Sequence, residues 1–141
     1  MPGDAATGAI ALGVPLVLLG LRVVVRRRRG DPAAPLERRR RRAPRVLRRA
    51  LGRAGNPRDE HDAFLAFLCA RTREAGGAWA GRSAVGWNES FPPPRRPLDP
   101  EAAADLDRLL RRLEAGVFGH GEAVPTAELH DRARKLVGGG F

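Results

Sequence analysis

The longest apolar run of the chain lies near its beginning, at residues 9–25, and four consecutive arginines follow it. A bilayer core is crossed by about 20 mostly apolar residues in a helix. The one charged residue of the run, Arg22, lies a turn from its end, where a guanidinium reaches the headgroups. We therefore predict a single transmembrane helix over residues 9–25. The alternative is a buried helix of a soluble protein, but so small a domain could hardly enclose a helix that is apolar on every face.

Charges on the two sides of this run predict its orientation. Asp4 precedes the run and arginines follow it, which indicates an uncleaved anchor and not a signal peptide. Arginines next to a span stay on the cytoplasmic side. We predict a bacterial inner-membrane protein with residues 1–8 outside, everything after the span in the cytoplasm, and these residues at the membrane interface: Arg22, Arg26, Arg27, Arg28 and Arg29.

Residues 26–55 are predicted to be a basic juxtamembrane linker. A breaker segment at residues 30–35 precedes a second run of arginines, and Pro44 is placed at a helix start. The helix would carry an apolar face opposite its arginines, formed by Val46, Leu47, Ala50 and Leu51. Such a helix either lies on anionic lipid or serves as a charged linker that leads into the following domain, and the pattern leaves both alternatives open.

Residues 56–141 repeat one pattern, a capping residue followed by apolar positions at helical spacing. Helix starts are predicted at Asn56-Pro57, Ser83, Asp99-Pro100 and Thr126. The stripes expected in the core are Phe64, Leu65, Phe67, Leu68 and Thr72, then Leu106, Leu109, Leu110, Leu113 and Val117, and last Leu129, Ala133, Leu136 and Val137. The proline-rich residues 91–97 form a rigid connector. With no alternating strand pattern, the prediction is an all-α cytoplasmic domain of three to four helices.

The formal net charge of +10 is concentrated in one segment. Residues 22–53 hold 14 arginines and two acids, whereas residues 54–141 hold 12 basic and 13 acidic residues. Nucleic acid is disfavoured as a partner because the basic segment adjoins the predicted span and lacks interleaved aromatic residues for base stacking. The lipid bilayer is the partner that this charge distribution favours.

The sequence presents no pattern of catalytic or metal-ligating residues. The histidines at 61, 120 and 130 lack metal-ligand spacing, and the lone Cys69 is predicted to be a buried small hydrophobe. Asp105 and Asp107 lie two apart on a helix and therefore face different directions. We predict no enzyme, cofactor or metal. The rival enzyme hypothesis requires a pocket with converging polar groups near His120 or His130.

The order of parts resembles a known family. A span, an arginine burst, a helix bearing FLAFL, a tryptophan-containing turn and the stretch LLRRLEAGVFGHGEAVP before a last short helix are similar to the C-terminal portion of the BatD "oxygen tolerance" membrane proteins. The resemblance implies a cytoplasmic helical domain on a single-pass anchor. It also implies two kinds of partner, membrane proteins with von Willebrand factor A domains and a MoxR-type AAA+ ATPase. Members of that family carry a long β-rich region before the span, where this sequence has eight residues.

The resulting hypothesis is a membrane-anchored, non-enzymatic protein-interaction module. Confinement at a membrane raises the effective concentration of such a domain for its partner. Candidate contact residues are Trp79, Trp87 and Phe118, although the two tryptophans are most simply the bulk of a small core. The alternative function is a lipid-surface-binding regulatory membrane protein of an uncharacterised family, in which the arginines of residues 38–53 act on the bilayer.

Overall fold

The computed structural model describes residues 17–22 and 30–141. The chain divides into two units, Met1–Pro35 and Leu36–Phe141. In the first unit residues 17–22 are helical, and the side chain of Arg22 is exposed. Among the described residues, no helix is both long and apolar enough to cross a bilayer. Most of the predicted span at residues 9–25, and the arginines at 26–29, lie outside the described residues.

The regular structure of residues 30–141 is entirely helical, so the all-α prediction is confirmed for this part of the chain. Four helices lie in residues 56–141, in agreement with the predicted three to four, and one precedes them. The five helices are α1 (Ala34–Arg53), α2 (Pro57–Arg71), α3 (Ala84–Glu89), α4 (Pro100–Val117) and α5 (Thr126–Gly138).

Three of the four predicted helix starts are confirmed by their capping hydrogen bonds. The Asn56 side chain accepts from the Asp59 amide at 2.9 Å, Ser83 from the Gly86 amide at 3.2 Å, and Asp99 from the Ala102 amide at 2.7 Å. Thr126 is different, because it is the first residue inside α5 and Pro125 occupies the capping position without a side-chain bond. The Thr126 hydroxyl instead donates to Glu60 at 3.3 Å.

The predicted apolar stripes form the core between α2, α4 and α5. Their buried members are Phe64, Phe67 and Leu68 of α2, Leu106, Leu109, Leu110 and Leu113 of α4, and Leu129, Ala133 and Leu136 of α5. Cys69 is a free thiol buried in the same core, as predicted. Leu65 and Val137 are half-buried at its edge. Helical periodicity therefore identified the packed face of each of these three helices.

Helix α1 differs from its prediction in both its start and its buried face. It begins at Ala34, continues through Pro44, and buries Ala43, Leu47 and Leu51 against the core. Val46, which was expected on the apolar face, is 58% exposed. The second unit begins at Leu36 and therefore includes most of α1.

A distant arginine supplies the hydrogen bond that Pro44 removes from α1. Proline has no amide hydrogen, so an interior proline leaves the carbonyl four residues earlier without its helical donor. That carbonyl belongs to Arg40, and the Arg71 guanidinium donates to it from α2 at 3.0 Å. The other nitrogens of Arg71, Nε and Nη2, both donate to the carbonyl oxygen of Phe141. Burial, together with the charge of Arg40, lowers the pKa of Arg71.

The connector at residues 91–97 contains no helix, as predicted, and a buried amide fixes its end. Asn88 is 2% exposed, and its side chain forms two hydrogen bonds with the main chain of Leu98. The amide nitrogen of Asn88 donates to the Leu98 carbonyl at 2.8 Å, and its oxygen accepts from the Leu98 amide at 2.9 Å. Leu98 is thereby held in the core directly before α4 begins.

The compensation of Pro44 by Arg71 predicts a measurable coupling between the two residues. In a Pro44→Ala variant the new amide hydrogen supplies the Arg40 carbonyl from within the helix, so Arg71→Gln should cost less than in the wild-type background. We expect a coupling free energy of about 1 kcal/mol in a double-mutant cycle. Urea denaturation followed by tryptophan fluorescence measures each corner of the cycle. Equal costs of Arg71→Gln in both backgrounds would show that Arg71 does not serve the Arg40 carbonyl.

The two hydrogen bonds between the Asn88 side chain and the main chain of Leu98 predict a large loss of stability when Asn88 is replaced. Asn88→Leu leaves the buried amide and carbonyl of Leu98 without partners, so the free energy of unfolding should fall by about 2–4 kcal/mol. Glu89→Gln, a change at the exposed neighbour in the same helix, is the control and should shift stability by less than about 0.5 kcal/mol. A loss in Asn88→Leu no larger than in the control contradicts this role.

Candidate interaction surfaces

The structure separates the three residues predicted to contact a partner. Trp79 is 1% exposed and Trp87 is half-buried, whereas Phe118 is 72% exposed directly after α4. Trp79 therefore belongs to the core and presents almost no surface to another protein. Phe118 is followed by five exposed residues, at positions 119–123. Of the three residues, Phe118 is the most exposed.

The tryptophans form an aromatic cluster with two phenylalanines. The Trp79 and Trp87 ring centroids are 5.3 Å apart, and Phe91 lies edge-on to Trp87 at 5.0 Å. Phe141, 3% exposed, lies 6.3 Å from Trp79 and 5.4 Å from Trp87. Such tilted and edge-on arrangements are the favourable ones for aromatic pairs. Phe141 was not predicted as a core residue, and its one local signal is an aromatic residue after three glycines.

A polar network fixes Trp79 at the edge of this cluster. Its indole nitrogen donates to the Thr72 hydroxyl at 3.0 Å, and Arg82 lies over its ring. Arg82 also donates to both oxygens of Glu74 at 2.7 Å, and Glu74 is within 2.8 Å of the Thr72 hydroxyl. Burial raises the pKa of Glu74, but the hydrogen bonds from Arg82 and Thr72 outweigh it and leave the pKa lowered. Thr72, expected as part of an apolar stripe, is thus a hydrogen-bonding hub.

The outward face of α1 is the most strongly charged surface of the described chain. Nine arginines lie on the helix, and two of them, Arg40 and Arg41, lie within ion-pair distance of Glu37. The remaining seven are exposed and pair with no described carboxylate: Arg38, Arg39, Arg42, Arg45, Arg48, Arg49 and Arg53. We call these seven residues the arginine face. Outside the described residues the sequence holds one acid, Asp4, so this face keeps a large positive charge.

Glu37, the one carboxylate of α1, forms ion pairs with arginines that lie beside the arginine face. Glu37 lies 2.7 Å from Arg73 and 3.3 Å from Arg41. Hydrogen bonds from these two arginines lower the pKa of Glu37. Glu37 therefore stays ionised, and it neutralises residues beside the arginine face without reaching the face itself.

The two carboxylates considered in the sequence analysis are committed to structural contacts. Asp107 accepts from the Ala84 amide at 2.6 Å, from the Val85 amide at 3.1 Å and from the Ser83 hydroxyl at 3.0 Å. It thereby joins the start of α3 to α4. Asp105 pairs with Arg108 and with Arg132 of α5. Among the described residues, no three His, Cys, Asp or Glu side chains are grouped so that they could hold a metal ion.

Two of the cavities that open on the described domain are large enough to consider as sites. One, of about 280 Å³, lies between α4 and α5 over the leucines at 98, 106, 109 and 136, with Arg132 and Lys135 among its lining residues. The other, of about 250 Å³, adjoins Phe141 and is lined in part by Arg40, Arg71 and Arg73. Neither is lined by His120 or His130, the residues near which the enzyme hypothesis requires a pocket.

Comparison with known proteins gives no relative from which a function could be transferred: the chain matches no protein-family model, no curated protein and no solved structure.

The lowered pKa of Glu74 predicts a pH-dependent contribution to stability. A carboxylate with a depressed pKa in the folded state stabilises the fold above its ordinary value of 4.5, and this contribution is lost as the pH falls through the folded-state value. Glu74→Gln should therefore reduce the free energy of unfolding by about 1 kcal/mol near neutral pH, and by much less at low pH. Urea titrations at several pH values measure the difference. Glu89→Gln is the control; a Glu74 effect that is independent of pH would contradict the assignment.

Proposed function

We propose that this chain is a membrane-anchored, non-enzymatic protein-interaction module of the BatD type. The single observation that carries the protein-contact part is Phe118, an aromatic residue that is 72% exposed while Phe64, Phe67 and Phe141 are buried. An exposed aromatic side chain contributes a large favourable binding free energy when a partner buries its apolar surface. Aromatic residues therefore dominate interface energetics. The neighbouring Gly119 and Gly121 carry no side chain that would hinder such an approach.

The anchor is supported by the sequence. Residues 9–25 have the length and apolar character of a bilayer span, and the arginines at 26–29 favour a cytoplasmic location for the chain that follows. The compact helical unit would then work at the inner face of a bacterial membrane. The proposed partners are those of the BatD resemblance, membrane proteins with von Willebrand factor A domains and a MoxR-type ATPase.

A second candidate function, lipid-surface binding, is favoured by the arginine face. Seven exposed guanidinium groups without described carboxylate partners form a surface that attracts anionic lipid. The two functions are compatible, because Phe118 does not belong to that face. Lipid contact would orient the domain at the bilayer, and Phe118 would provide the protein contact.

Site-specific crosslinking tests the protein contact. A photoreactive phenylalanine at position 118 of the full chain, expressed in its native cell, should give discrete adducts with a von Willebrand A-domain protein or the ATPase. The same group at Ala127, an exposed position on α5, is the matched control and should give none of them. Phe118→Ser should abolish co-purification of that partner, whereas Val46→Ser, which also removes an exposed apolar side chain, should preserve it. Adducts that do not differ between positions 118 and 127 would overturn the proposal.

A further inference from the structure

The surface of α1 points to a binding mode that differs from that of an ordinary amphipathic membrane helix. A helix that lies on a bilayer normally buries its apolar side among the acyl chains. In α1 the apolar side consists of Ala43, Leu47 and Leu51, and all three are packed in the protein core. The helix therefore has no free apolar face to insert. Any contact with a bilayer must be made by the side that carries the arginines.

We propose that the arginine face binds the headgroups of an anionic phospholipid bilayer electrostatically, without insertion of α1. The inference rests on the membrane association in the proposed function. From Arg38 to Arg53 the helix extends about 22 Å at its usual rise, so several headgroups fit along it at once. Arginine suits this task because its fork of donors matches the phosphate group. One exposed apolar side chain, Val46, lies at the edge of this face between Arg42 and Arg49.

Continuity along the chain favours a bilayer over nucleic acid as the occupant. The apolar residues 9–25 end 13 positions before Arg38, and the arginines at 26–29 lie between them. A span at residues 9–25 would hold α1 within reach of the headgroups at a high effective concentration. The arginine face also carries no aromatic side chain, and proteins that bind single-stranded nucleic acid use such side chains to stack on bases.

The strength and the salt dependence of the contact follow from its electrostatic origin. Each arginine near an anionic surface strengthens the association about fivefold, so loss of three should weaken it by about two orders of magnitude. The attraction is screened when the Debye length falls from about 10 Å at 0.1 M salt to about 3 Å at 1 M. Acyl-chain insertion would persist at high salt, which separates the two modes.

The test uses the full chain reconstituted in vesicles, with a fluorophore on Val46→Cys; the natural Cys69 is buried and is not labelled. Vesicles contain phosphatidylcholine alone or with phosphatidylglycerol, and carry a quencher either at the headgroup or deep in the acyl chain. We expect quenching at position 46 by the headgroup quencher, with phosphatidylglycerol and at low salt. Deep quenchers should have no effect. The same fluorophore on Glu101→Cys, at the exposed start of α4, should not be quenched.

Two matched triple variants assign the effect to the arginine face. Arg38, Arg45 and Arg49 changed to glutamine should abolish the quenching, because all three lie on one side of α1. Arg58, Arg95 and Arg96 changed to glutamine remove the same charge from other exposed positions and should leave it intact. Circular dichroism should show that both variants remain helical, because exposed arginine-to-glutamine changes hardly alter helix propensity.

Every other outcome overturns the proposal in an identifiable way. Deep quenching that survives high salt would show insertion. An equal loss of quenching in both triple variants would show a general effect of charge. An absence of quenching in vesicles with phosphatidylglycerol would show that the arginine face does not bind lipid. A change in the fluorescence of the label at position 46 on addition of duplex or single-stranded DNA, without a change on addition of anionic lipid, would identify a nucleic-acid surface. Flotation of the full chain with phosphatidylcholine vesicles tests the anchor separately, so failure of the anchor and failure of the arginine face are distinguishable.

Discussion

The guanidinium of Arg71 is the interaction on which the arrangement of the domain depends. It supplies a donor to the carbonyl of Arg40, which the proline four residues later leaves without one, and two donors to the carbonyl of Phe141. One side chain of α2 thus fixes the middle of α1 and the last residue of the chain. The cation is partly buried, and its desolvation is offset by hydrogen bonds to main-chain oxygens.

This constraint also decides which surface α1 presents to its surroundings. With Ala43, Leu47 and Leu51 in the core, the seven residues of the arginine face are left on the exposed side of α1. Apart from the pairs of Glu37 with Arg40 and Arg41, the side-chain charges of this helix are alike, and arginines three or four apart repel each other. Its stability must therefore come from packing on the domain. The cost of this repulsion is reduced whenever an anionic surface approaches, which gives the proposed lipid contact a physical basis in the fold.

Much of residues 56–141 was predictable because its determinants are local. Asn56, Ser83 and Asp99 cap helices through amides only three residues away, and the leucine stripe of α4 follows from spacing alone. The start of α1 was not predictable in this way, because Pro44 locally favours a helix start and its compensation comes from Arg71. The burial of Phe141 and the capping role of Asp107 likewise depend on residues distant in the sequence.

For the candidate surfaces the same distinction between local and distant determinants holds. Phe118 could be singled out because glycines follow it, and glycines signal the end of a helix, where an apolar side chain often loses its core contacts. Both tryptophans were expected in a small core, but the nearly complete burial of Trp79 beside a half-buried Trp87 was not predictable, since it depends on contacts of Trp79 with Thr72, Arg82 and Phe141. The arginine run was evident from the sequence, but its mode of action was not. An amphipathic helix whose apolar side is free inserts into lipid, whereas one whose apolar side is packed in a core can attract lipid only by charge. The burial of Leu47 and Leu51 favours the second mode for the proposed lipid contact, and only the tertiary structure contains that burial.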